Sequence, residues 1–531
     1  MEAIRNWLGS HRYARWLYPV CLVGTAALLL AAPVVRRGYF MLYGWLILLF
    51  VIAVRPNSPV HSVSMEGWCR WRTVCTVLVA LAVIAACVLP MGELPLWNGE
   101  NPEQRNQYEL MTEAFLEGRI DFAYGDEDTL LALENPYDPV EREASGVSYH
   151  WDHAYYDGHY YMYFGVVPIF LAFMPYRLLT GTALTTYHAT QYFVALGIVG
   201  IFVLFRLLAK VFFKKLPFSV YLLMAAAFSA MSMFYSTAEP ALYCTAISCA
   251  VMLEIWSLYF FIRAVWYEKE ENRQILFAGI GAAFGALVFG SRPPIGLANI
   301  LVIPMLIVFL KQRRFTLKLL GKLALAASPY LVVAVALMIY NYARFDDPFE
   351  FGQAYQLTFA DQTGYRIHLN LNTLLRIFND SLDFFLNHGE LSRVFPYITT
   401  NSLFANFPIL LLSIFLLKAE VLEEMRKEKT GLLVAFLFLS VLVITAMDIV
   451  WTPFLLERYR MDIYFLMGIV CFMVVGFRHR CCTEKQRGVF NCVLSLLAAM
   501  TLLFAFLLCV YTIITRYPEK MVEIGSVLHL V

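Results

Sequence analysis

Residues 91–122 read MGELPLWNGENPEQRNQYELMTEAFLEGRIDF, and residues 135–165 read NPYDPVEREASGVSYHWDHAYYDGHYYMYFG. The segment Met91–Tyr160, which includes most of both stretches, contains 16 Asp/Glu and three Lys/Arg, whereas the whole chain has a net charge of only +1. A carboxylate is very costly in hydrocarbon, so a segment this acidic must lie in water. We expect the chemistry of the protein in this segment.

The remainder of the chain is apolar. Hydrophobic residues make up 60% of the 531 residues and charged residues 15%, against roughly 25% in soluble domains. Apolar runs of about 16 to 25 residues predict helices that cross a bilayer. The predicted spans are 17–35, 39–54, 73–90, 187–209, 218–236, 240–266, 275–291, 296–311, 318–342, 404–417, 430–449, 454–477 and 488–514. We therefore predict an all-α polytopic membrane protein of about 13 transmembrane helices, with two long extracytoplasmic loops that carry surface helices.

Basic residues decide the predicted orientation, because short cytoplasmic loops are enriched in Lys and Arg. With thirteen spans every basic cluster falls on one side, so the N-terminus is predicted to be cytoplasmic and the long loops and C-terminus extracytoplasmic. The run 17–35 is interpreted as a retained signal-anchor helix. Tyr161–Leu179 is a fourteenth candidate; as a full span it would reverse every later loop, so we predict that it does not cross the membrane.

Two surface helices are predicted in the outer loops. In Asn106–Gly118, apolar residues recur every three or four positions with glutamates on the other side, which indicates an amphipathic helix on the membrane surface. Leu369–Leu386 could form the second, in the loop 343–403. Ordered loops of this length tend to be functional.

Acidic residues return to one membrane surface from both ends of the first loop. Glu100 and Glu103 lie shortly after the third span, and Asp152 and Asp157 precede the doubtful helix. A carboxylate near an apolar surface can act as a general base, because desolvation raises its pKa toward working pH. The alternative for any one of them is that it only keeps the loop solvated.

Arginines predicted on the outer side are the candidates for binding phosphate. They are Arg292 in the short loop SRPPIG, Arg344 after span 318–342, and Arg458 in ERYRMD. The planar guanidinium suits phosphate, and a group of them at the outer leaflet would suit a lipid-linked phosphate. The alternative is snorkelling, or an ion pair with Glu457 or Asp462.

Metal and nucleotide sites are not supported by the sequence. The spacing of His150, His153 and His159 matches no helix-based ligand pair, and none of the eleven cysteines lies in either long loop. No glycine-rich phosphate loop or nucleophile elbow is present in a strand-to-helix setting. We predict no metal ligands and no nucleic-acid partner, although a divalent metal stays possible as a cofactor.

Four segments in their order resemble the GT-C superfamily of membrane glycosyltransferases. The first is NPEQRNQYELMTEAFLEGR, with Glu103 and Tyr108 in the positions of the family's acidic residue and Tyr. WDHAYYDGHYYMYFGVVP at 151–168 is similar to a D-x-x-x-Y-x-G-x-Y-Y stretch of bacterial members, and YNYARFDDPFEFG at 340–352 to an N-x-x-R-F-G-x-P-x-x-x-G stretch. RPP and ERYR fit recurring arginine positions. The chain departs from the family in having only Glu in the first motif and Asp346 after Arg-Phe.

The resemblance implies an inverting sugar transfer from a polyprenyl-phosphate-sugar donor, mannosyltransferase-like, to a glycan, lipid or protein acceptor at the outer face of a bacterial cytoplasmic membrane. It implies Glu103 or Asp152 as the base, with Glu100 as the alternative motif acid, and Arg292, Arg344 and Arg458 around the donor phosphate. Further residues implied in the donor and acceptor loops are Tyr108, Asp157, Tyr160 and Asn341. The implied division is 1–72 as an added N-terminal transmembrane hairpin, 73–342 as the core including loop 91–160, 343–403 as the second outer loop, and 404–531 as C-terminal helices.

Two other functions are left open. A transporter or flippase of a lipid-linked sugar would need ionisable residues near the bilayer centre and two related halves. The predicted spans show no half-repeat, and we expect few charges in their cores apart from Arg206. A structural or sensory protein would leave the outer arginines without a role.

Overall fold

The computed structural model describes residues 14–34, 38–88, 107–238, 242–365, 368, 370–387, 398–399, 402–451 and 456–516. Its α-helices are α1 (Ala14–Ala31), α2 (Gly38–Val54), α3 (Arg70–Val88), α4 (Gln107–Leu116), α5 (Pro139–Ser145), α6 (Met174–Thr180), α7 (Thr186–Phe212), α8 (Phe218–Ala238), α9 (Leu242–Ile262), α10 (Glu271–Phe289), α11 (Pro293–Gly296), α12 (Val302–Lys311), α13 (Leu317–Phe345), α14 (Leu371–Leu386), α15 (Leu403–Asn406), α16 (Ala419–Lys427), α17 (Gly431–Trp451), α18 (Met461–Cys481) and α19 (Glu484–Arg516). Short 3₁₀ helices lie at Pro59–His61, Glu127–Ala132, Leu297–Leu301, Pro408–Leu417 and Glu457–Arg460, and π-helical turns at Ile169–Phe173 and Arg263–Tyr267. Two strands, β1 (His153–Tyr156) and β2 (His159–Met162), form a hairpin.

Within these residues, ten helical segments are long and apolar enough to cross a membrane. They are α3, α7, α8, α9 with its π-helical end, α10, α11 to α12, α13, α17, α18 with the 3₁₀ turn before it, and α19. The all-α polytopic fold is therefore confirmed. The predicted span 404–417 is instead the short helix α15 followed by the 3₁₀ helix Pro408–Leu417, since Pro408 lacks the N–H that would continue an α-helix.

The helices differ in what surrounds them. Almost all of α18 is buried by other helices, as are most of α8 and α9, whereas few residues of α13 are fully buried. A helix that is apolar all round must be covered by protein or by lipid. The bundle is thus built around α18, with α13 at its periphery.

The basic loops meet at one end of the bundle. The Lys210 ammonium donates to the Tyr267 hydroxyl at 2.6 Å, which joins the ends of α7 and α9. Arg480, at the end of α18, donates to the Phe212 carbonyl at 3.1 Å and to Glu428 Oε1 at 2.7 Å. The described part of the acidic loop contacts the opposite end, so the two classes of loop are separated as the charge pattern predicts.

The segment 161–179 begins and ends beside one short helix. Tyr108 in α4 donates from its hydroxyl to the Gly165 carbonyl at 3.3 Å, and the next residue, Glu109, accepts from the Thr186 N–H at 2.7 Å. The helical part, Ile169–Phe173 plus α6, rises only about 18 Å, less than the ~30 Å of a hydrocarbon core. This geometry agrees with a segment that enters and leaves on the same face.

The helix α4 is present as predicted, but its apolar face is covered by protein and not by the membrane. Its apolar side, with Tyr108, Met111 and Ala114, is buried against the protein, and Tyr108 stacks on Phe173 with ring centroids 5.2 Å apart. The expectation that this face lies on the membrane is wrong, because the segment 161–179 covers it. By contrast, α14 exposes the large apolar side chains Leu371, Leu374, Leu375, Phe378, Leu382 and Leu386, as an interfacial helix does.

The described parts of the two long loops, 91–160 and 343–403, form one body around the hairpin. In β1 and β2, Tyr155 pairs with Tyr160 and Tyr156 with His159 across an Asp157-Gly158 turn, whose φ angles are 48° and 77°. Such a two-residue turn with positive φ at both positions matches the twist of a hairpin. On the outer edge of β1, the Leu357 N–H donates to the His153 carbonyl at 2.9 Å, so the second loop continues the sheet.

One side chain locks the two loops together. Arg142 of the first loop is almost fully buried, and its guanidinium donates to the Thr358 carbonyl of the second loop and, at 2.7 Å, to the Pro136 carbonyl. It also lies over the Tyr149 ring, 4.7 Å from the centroid. A buried guanidinium is costly unless it is hydrogen-bonded, and two of the Arg142 nitrogens are, although its Nε has no partner among the described residues. These contacts tie the second loop to the first.

Candidate active site

Asp152 lies at the centre of the site, immediately before β1. Its backbone has a φ of 59°, a left-handed conformation that Asp tolerates better than most residues, and its N–H donates to the Leu357 carbonyl at 3.0 Å. Its two carboxylate oxygens accept from different elements. The Gln356 amide donates to Oδ1 at 3.1 Å and the Tyr243 hydroxyl, at the start of α9, donates to Oδ2.

Burial raises the pKa of Asp152 to about 6, although nearby Arg458 and the hydrogen bonds from Trp151 and Gln356 oppose the shift. Only 7% of the residue is exposed. A carboxylate accepts up to about four hydrogen bonds, so a lone pair remains beside the three in use. Asp152 is therefore a base that ionises near neutral pH and is held in a fixed position.

Arg458 interacts electrostatically with this carboxylate, and its N–H groups donate no hydrogen bond to the residues that the structure describes. Its guanidinium lies 4.0 Å from the centroid of the Tyr243 ring and 5.5 Å from that of Tyr459. It makes no ion pair or hydrogen bond with any residue that the structure describes. Cation–π contacts orient a guanidinium without using its N–H groups, which stay free to bind an anion.

Arg292 follows α10 and is bound to a carboxylate of the protein itself. It donates to both oxygens of Asp462 in α18, at 2.7 and 2.9 Å, and Asp462 is fully buried. Buried Asp448, at the end of α17, interacts electrostatically with the same guanidinium. Arg292 also lies over the Tyr459 ring, 5.0 Å from its centroid. The Arg292 guanidinium thus offsets the negative charge of two buried acids, Asp462 and Asp448.

The hairpin positions Arg292 through a close backbone approach. The Val167 N–H donates to the Gly290 carbonyl at 3.1 Å. A Cβ atom at Gly165 would collide with the carbonyl oxygens of Gly290 and Ser291, so only glycine fits there. The chain after β2 therefore lies directly on the turn that precedes Arg292.

Tyr163 lies between the two halves of the site. It interacts electrostatically with Asp152, Arg292 and Tyr459, and its hydroxyl oxygen accepts a hydrogen bond from the Trp451 indole N–H. Burial raises the pKa of Tyr163 to about 12, so the phenol keeps its proton and remains a hydrogen-bond donor at neutral pH.

Arg344 and Asn341 make contacts within the protein. Arg344 donates to the Met162 carbonyl at 2.6 Å and to Asn341 Oδ1 at 2.8 Å, and the Asn341 amide donates to the Pro348 carbonyl at 3.2 Å. Both side chains are at least 95% buried. They join the end of α13 to β2, and the Arg344 Nε is buried without a hydrogen-bond partner among the described residues. A role of Arg344 in binding phosphate stays a prediction.

Histidine and tyrosine side chains pack against one another beside the hairpin. The pKa of His153 is lowered to about 3 by burial, so the ring is neutral, and its Nε2 lies 2.8 Å from the Tyr124 hydroxyl, which donates to it. His150 stacks on Tyr124 and lies 3.0 Å from Asp126 Oδ1. In the described ranges no group of three His, Cys, Asp or Glu residues is arranged to hold a metal ion.

The remaining predicted site residues are spread over the two long loops and the hairpin. Tyr160 is buried inside the hairpin, Asp157 forms its turn, and Tyr108 contacts Gly165. Glu100 and Glu103 lie outside the described residues. Of the predicted carboxylates and arginines, Asp152, Arg292 and Arg458 are brought together.

Sequence reasoning missed Tyr243, Gln356 and Tyr163. Tyr243 was overlooked because a lone Tyr at a helix start resembles many others, and only its position at the outer end of an apolar run distinguishes it. Gln356 follows the glycine-containing motif of the second loop, and Tyr163 follows the hairpin. Asp462 was named only as a possible ion-pair partner, and it is the partner of Arg292.

Fold and site together define a polytopic α-helical membrane protein with a buried carboxylate and guanidinium groups where two outer loops meet the helix ends. No family model matches the chain, and no curated protein matches its sequence. Among solved structures, the chain is similar to the oligosaccharyltransferase of Archaeoglobus fulgidus in the apo form, at 11% identity and a TM-score of 0.41. The alignment covers 83% of this chain and 56% of that one, so the chain spans little more than half the length of the archaeal protein. A similarity of this size assigns neither family nor function.

Proposed function

We propose that this protein is a glycosyltransferase that moves a sugar from a polyprenyl-phosphate donor to an acceptor hydroxyl at the outer face of a bacterial cytoplasmic membrane. The observation that carries the proposal is Asp152, a buried carboxylate with a pKa of about 6 beside the uncommitted guanidinium of Arg458. A base and an anion-binding group at the end of a membrane bundle suit a reaction between a lipid phosphate and a water-borne acceptor.

Asp152 acts as the general base. Its carboxylate takes the proton of the acceptor hydroxyl while the acceptor oxygen forms a bond to the anomeric carbon of the sugar. The hydrogen bonds from Tyr243 and Gln356 fix the direction of its free lone pairs. Because its pKa is near 6, Asp152 is ionised at neutral pH yet is a stronger base than an exposed carboxylate.

Arg458 binds the leaving phosphate. The bond between the anomeric carbon and the phosphate oxygen breaks with its electron pair on oxygen, and the guanidinium stabilises the charge that develops. Phosphate is a good leaving group, so no general acid is needed. With the base and the phosphate on opposite sides of the anomeric carbon, the configuration inverts.

Arg292 and Tyr163 complete the donor side. The ion pair with Asp462 fixes Arg292 against the Tyr459 ring, which also contacts Arg458. The protonated Tyr163 hydroxyl supplies a neutral donor between the base and the cations. Glu103 stays a prediction as a second carboxylate that orients the acceptor, and the acceptor itself is a glycan, a lipid or a protein.

The test uses the purified full-length protein in liposomes with a series of polyprenyl-phosphate sugars. Since water can replace an unknown acceptor, slow release of free sugar from the donor is measured as well as transfer to added glycans. We expect cleavage of at least one donor, lost in Asp152→Asn and retained in Asp128→Asn, a matched change of an exposed carboxylate in the same loop. Unchanged cleavage in Asp152→Asn would contradict the proposal.

A transporter of a lipid-linked sugar is the second candidate, and one observation favours it. The expectation that span cores carry few charges apart from Arg206 overlooked Glu254, which is buried midway along α9. Movement of an intact lipid-linked sugar across the liposome membrane, without any broken glycosidic bond, would support transport and exclude the enzyme.

A further inference from the structure

Glu254 is a carboxyl group inside the helix bundle, far from the Asp152 site. It lies 12 residues after the start and 13 before the end of the span Leu242–Tyr267, so it is about 18 Å from either end. The residue is 1% exposed. It has no ion pair within the described chain, and its Oε2 atom is buried without a hydrogen-bond partner.

Polar side chains from three helical segments surround this level of the bundle. Ser257 lies one turn after Glu254 on the same face of α9, Asn299 lies in Leu297–Leu301, and Tyr330 lies in α13, close enough to Glu254 to interact electrostatically. A Cβ atom at Gly285 of α10 would lie closer than 3.0 Å to polar atoms of Ser257, Asn299 and Tyr330. We call these five residues the Glu254 cluster.

Every hydrogen-bond donor of the cluster's side chains is already used. The Asn299 amide donates to the Gly285 and Gly296 carbonyls, both at 3.0 Å, and accepts from the Tyr330 hydroxyl at 2.5 Å. Ser257 donates to the Gly281 carbonyl at 2.9 Å. The Tyr330 and Ser257 oxygens are left with lone pairs only.

An ionised Glu254 would therefore be a buried anion that has no counter-ion among the described residues and receives no hydrogen bond at Oε2 from them. Such a charge is very costly without a donor or a counter-ion. A protonated carboxyl carries no charge, so its burial is far less costly.

We propose that the Glu254 cluster is a proton-binding site in the membrane interior, where Glu254 holds its proton at neutral pH because the described surroundings offer its charge no counter-ion. Protonation and deprotonation of this one group would then add or remove a charge at the middle of the bundle. The proposal does not depend on glycosyl transfer at Asp152.

Charged groups on the neighbouring helices do not supply the missing counter-ion. On α7, Arg206 lies over the Trp68 ring, 4.0 Å from its centroid. At the basic end, Arg263 is bound to Glu268 at 2.8 Å, and Arg313 pairs with Glu271 at 3.8 Å. Tyr330 is the titratable side chain of the described residues that interacts with Glu254.

The direct test is infrared spectroscopy of the full-length protein in lipid nanodiscs at neutral pH, comparing wild type with Glu254→Gln. The difference spectrum should contain the carbonyl band of a protonated carboxylic acid, which is absent from Glu254→Gln. A difference band of an ionised carboxylate would overturn the proposal. The band should not depend on sodium or potassium, since a carboxylate that appears with either ion would mean a metal site instead.

A second measurement covers the case in which Glu254→Gln does not fold. Dicyclohexylcarbodiimide, an apolar reagent, adds to protonated carboxyl groups, and peptide mass spectrometry locates the adduct. In folded wild-type protein we expect an adduct on Glu254. We expect none on Glu268, whose side chain is mostly buried but ion-paired to Arg263. Modification of Glu268 with Glu254 left intact would contradict the proposal.

Discussion

Asp152 and Glu254 are both buried carboxyl groups, but their surroundings differ in the kind of hydrogen-bonding group that they offer. Asp152 receives hydrogen bonds from Tyr243 and Gln356 and has Arg458 nearby. Glu254 has no ion pair among the described residues, and its Oε2 receives no hydrogen bond from them. Burial alone therefore does not decide what a carboxyl group can do. Hydrogen-bond donors and a nearby cation favour an ion that can act as a base, whereas burial without them favours a neutral acid that keeps its proton.

The largest expected effect separates these two carboxyl groups by activity. Asp152→Asn removes the base and should lower the rate of sugar transfer by about 10²- to 10⁴-fold. Glu254→Gln replaces one neutral group by another and should change the rate by less than about tenfold, because it does not touch the reacting atoms. Initial rates of donor cleavage in liposomes measure both. Equal losses in the two variants would remove the distinction drawn between the sites.

The next effect concerns the ion pair between Arg292 and Asp462. Arg292→Gln leaves a fully buried carboxylate without its partner, and breaking such a pair costs about 3–5 kcal/mol of stability. Thermal unfolding in one detergent is the measurement. The double variant Arg292→Gln with Asp462→Asn should recover part of the loss, since the charge of Asp462 is removed while buried Asp448 still lacks the guanidinium. A double variant less stable than the single one would show that the pair is not what stabilises this region.

Arg458 should have a smaller effect on stability and a clear effect on anion binding. A hydrogen bond to a charged group contributes about 1.5–3 kcal/mol, so Arg458→Gln should weaken binding of a short polyprenyl phosphate roughly 10- to 100-fold. Titration of the purified protein with this sugar-free probe measures the affinity. Arg119→Gln is the matched control, because Arg119 is an outer-loop arginine paired with Glu117 at the surface. Unaltered affinity in Arg458→Gln would exclude this residue from the phosphate site.

The smallest effect is a shift in the pKa of Asp152 itself. Gln356 donates to the carboxylate and so stabilises its ionised form. Gln356→Leu should raise the midpoint of the pH–rate profile by about 0.5–1 pH unit, the equivalent of one ordinary hydrogen bond. Gln353→Leu, which changes a nearby amide that contacts Gln362, should leave the midpoint unchanged. A downward shift in Gln356→Leu would mean that the amide does not support the carboxylate.

The overall architecture could be predicted from sequence because the membrane-spanning helices correspond to continuous apolar runs. The separation of basic and acidic loops followed from the same pattern, and α4 followed from its three- and four-residue spacing. The hairpin was also within reach: in HAYYDGHYYM, an Asp-Gly pair lies between aromatic residues, which is the signal for a two-residue turn. It was missed because the fold was predicted as helical throughout.

The site could be predicted only in part, because its members come from distant positions in the chain. Asp152 and Arg458 could be predicted because they are charged residues at predicted membrane boundaries, where a charge often indicates a functional site. Tyr243 and Gln356 carry no charge, so nothing in a single sequence distinguishes them from other polar residues. The tasks of Arg292 and Arg344 depended on partners 170 and 182 residues away in sequence, which no local pattern shows.

Asp346 shows how the structure explains a departure from the motif. The residue ends α13 with a φ of 55°, a left-handed conformation that usually favours glycine at the end of a helix. Asp is among the few other residues that adopt it at modest cost. The chain thus keeps the backbone geometry that the motif would provide with Gly.

The pH dependence of sugar transfer by the wild-type protein tests the role of Asp152 most directly. The base must be ionised to accept a proton, so the rate should rise with pH and reach half of its plateau near pH 6, where the carboxylate forms. Below that midpoint it should fall about tenfold per pH unit, and this acid limb should be absent from the residual activity of Asp152→Asn. A wild-type rate that is constant from pH 4 to pH 8, or an acid limb that persists in Asp152→Asn, would contradict the assignment of Asp152 as the base.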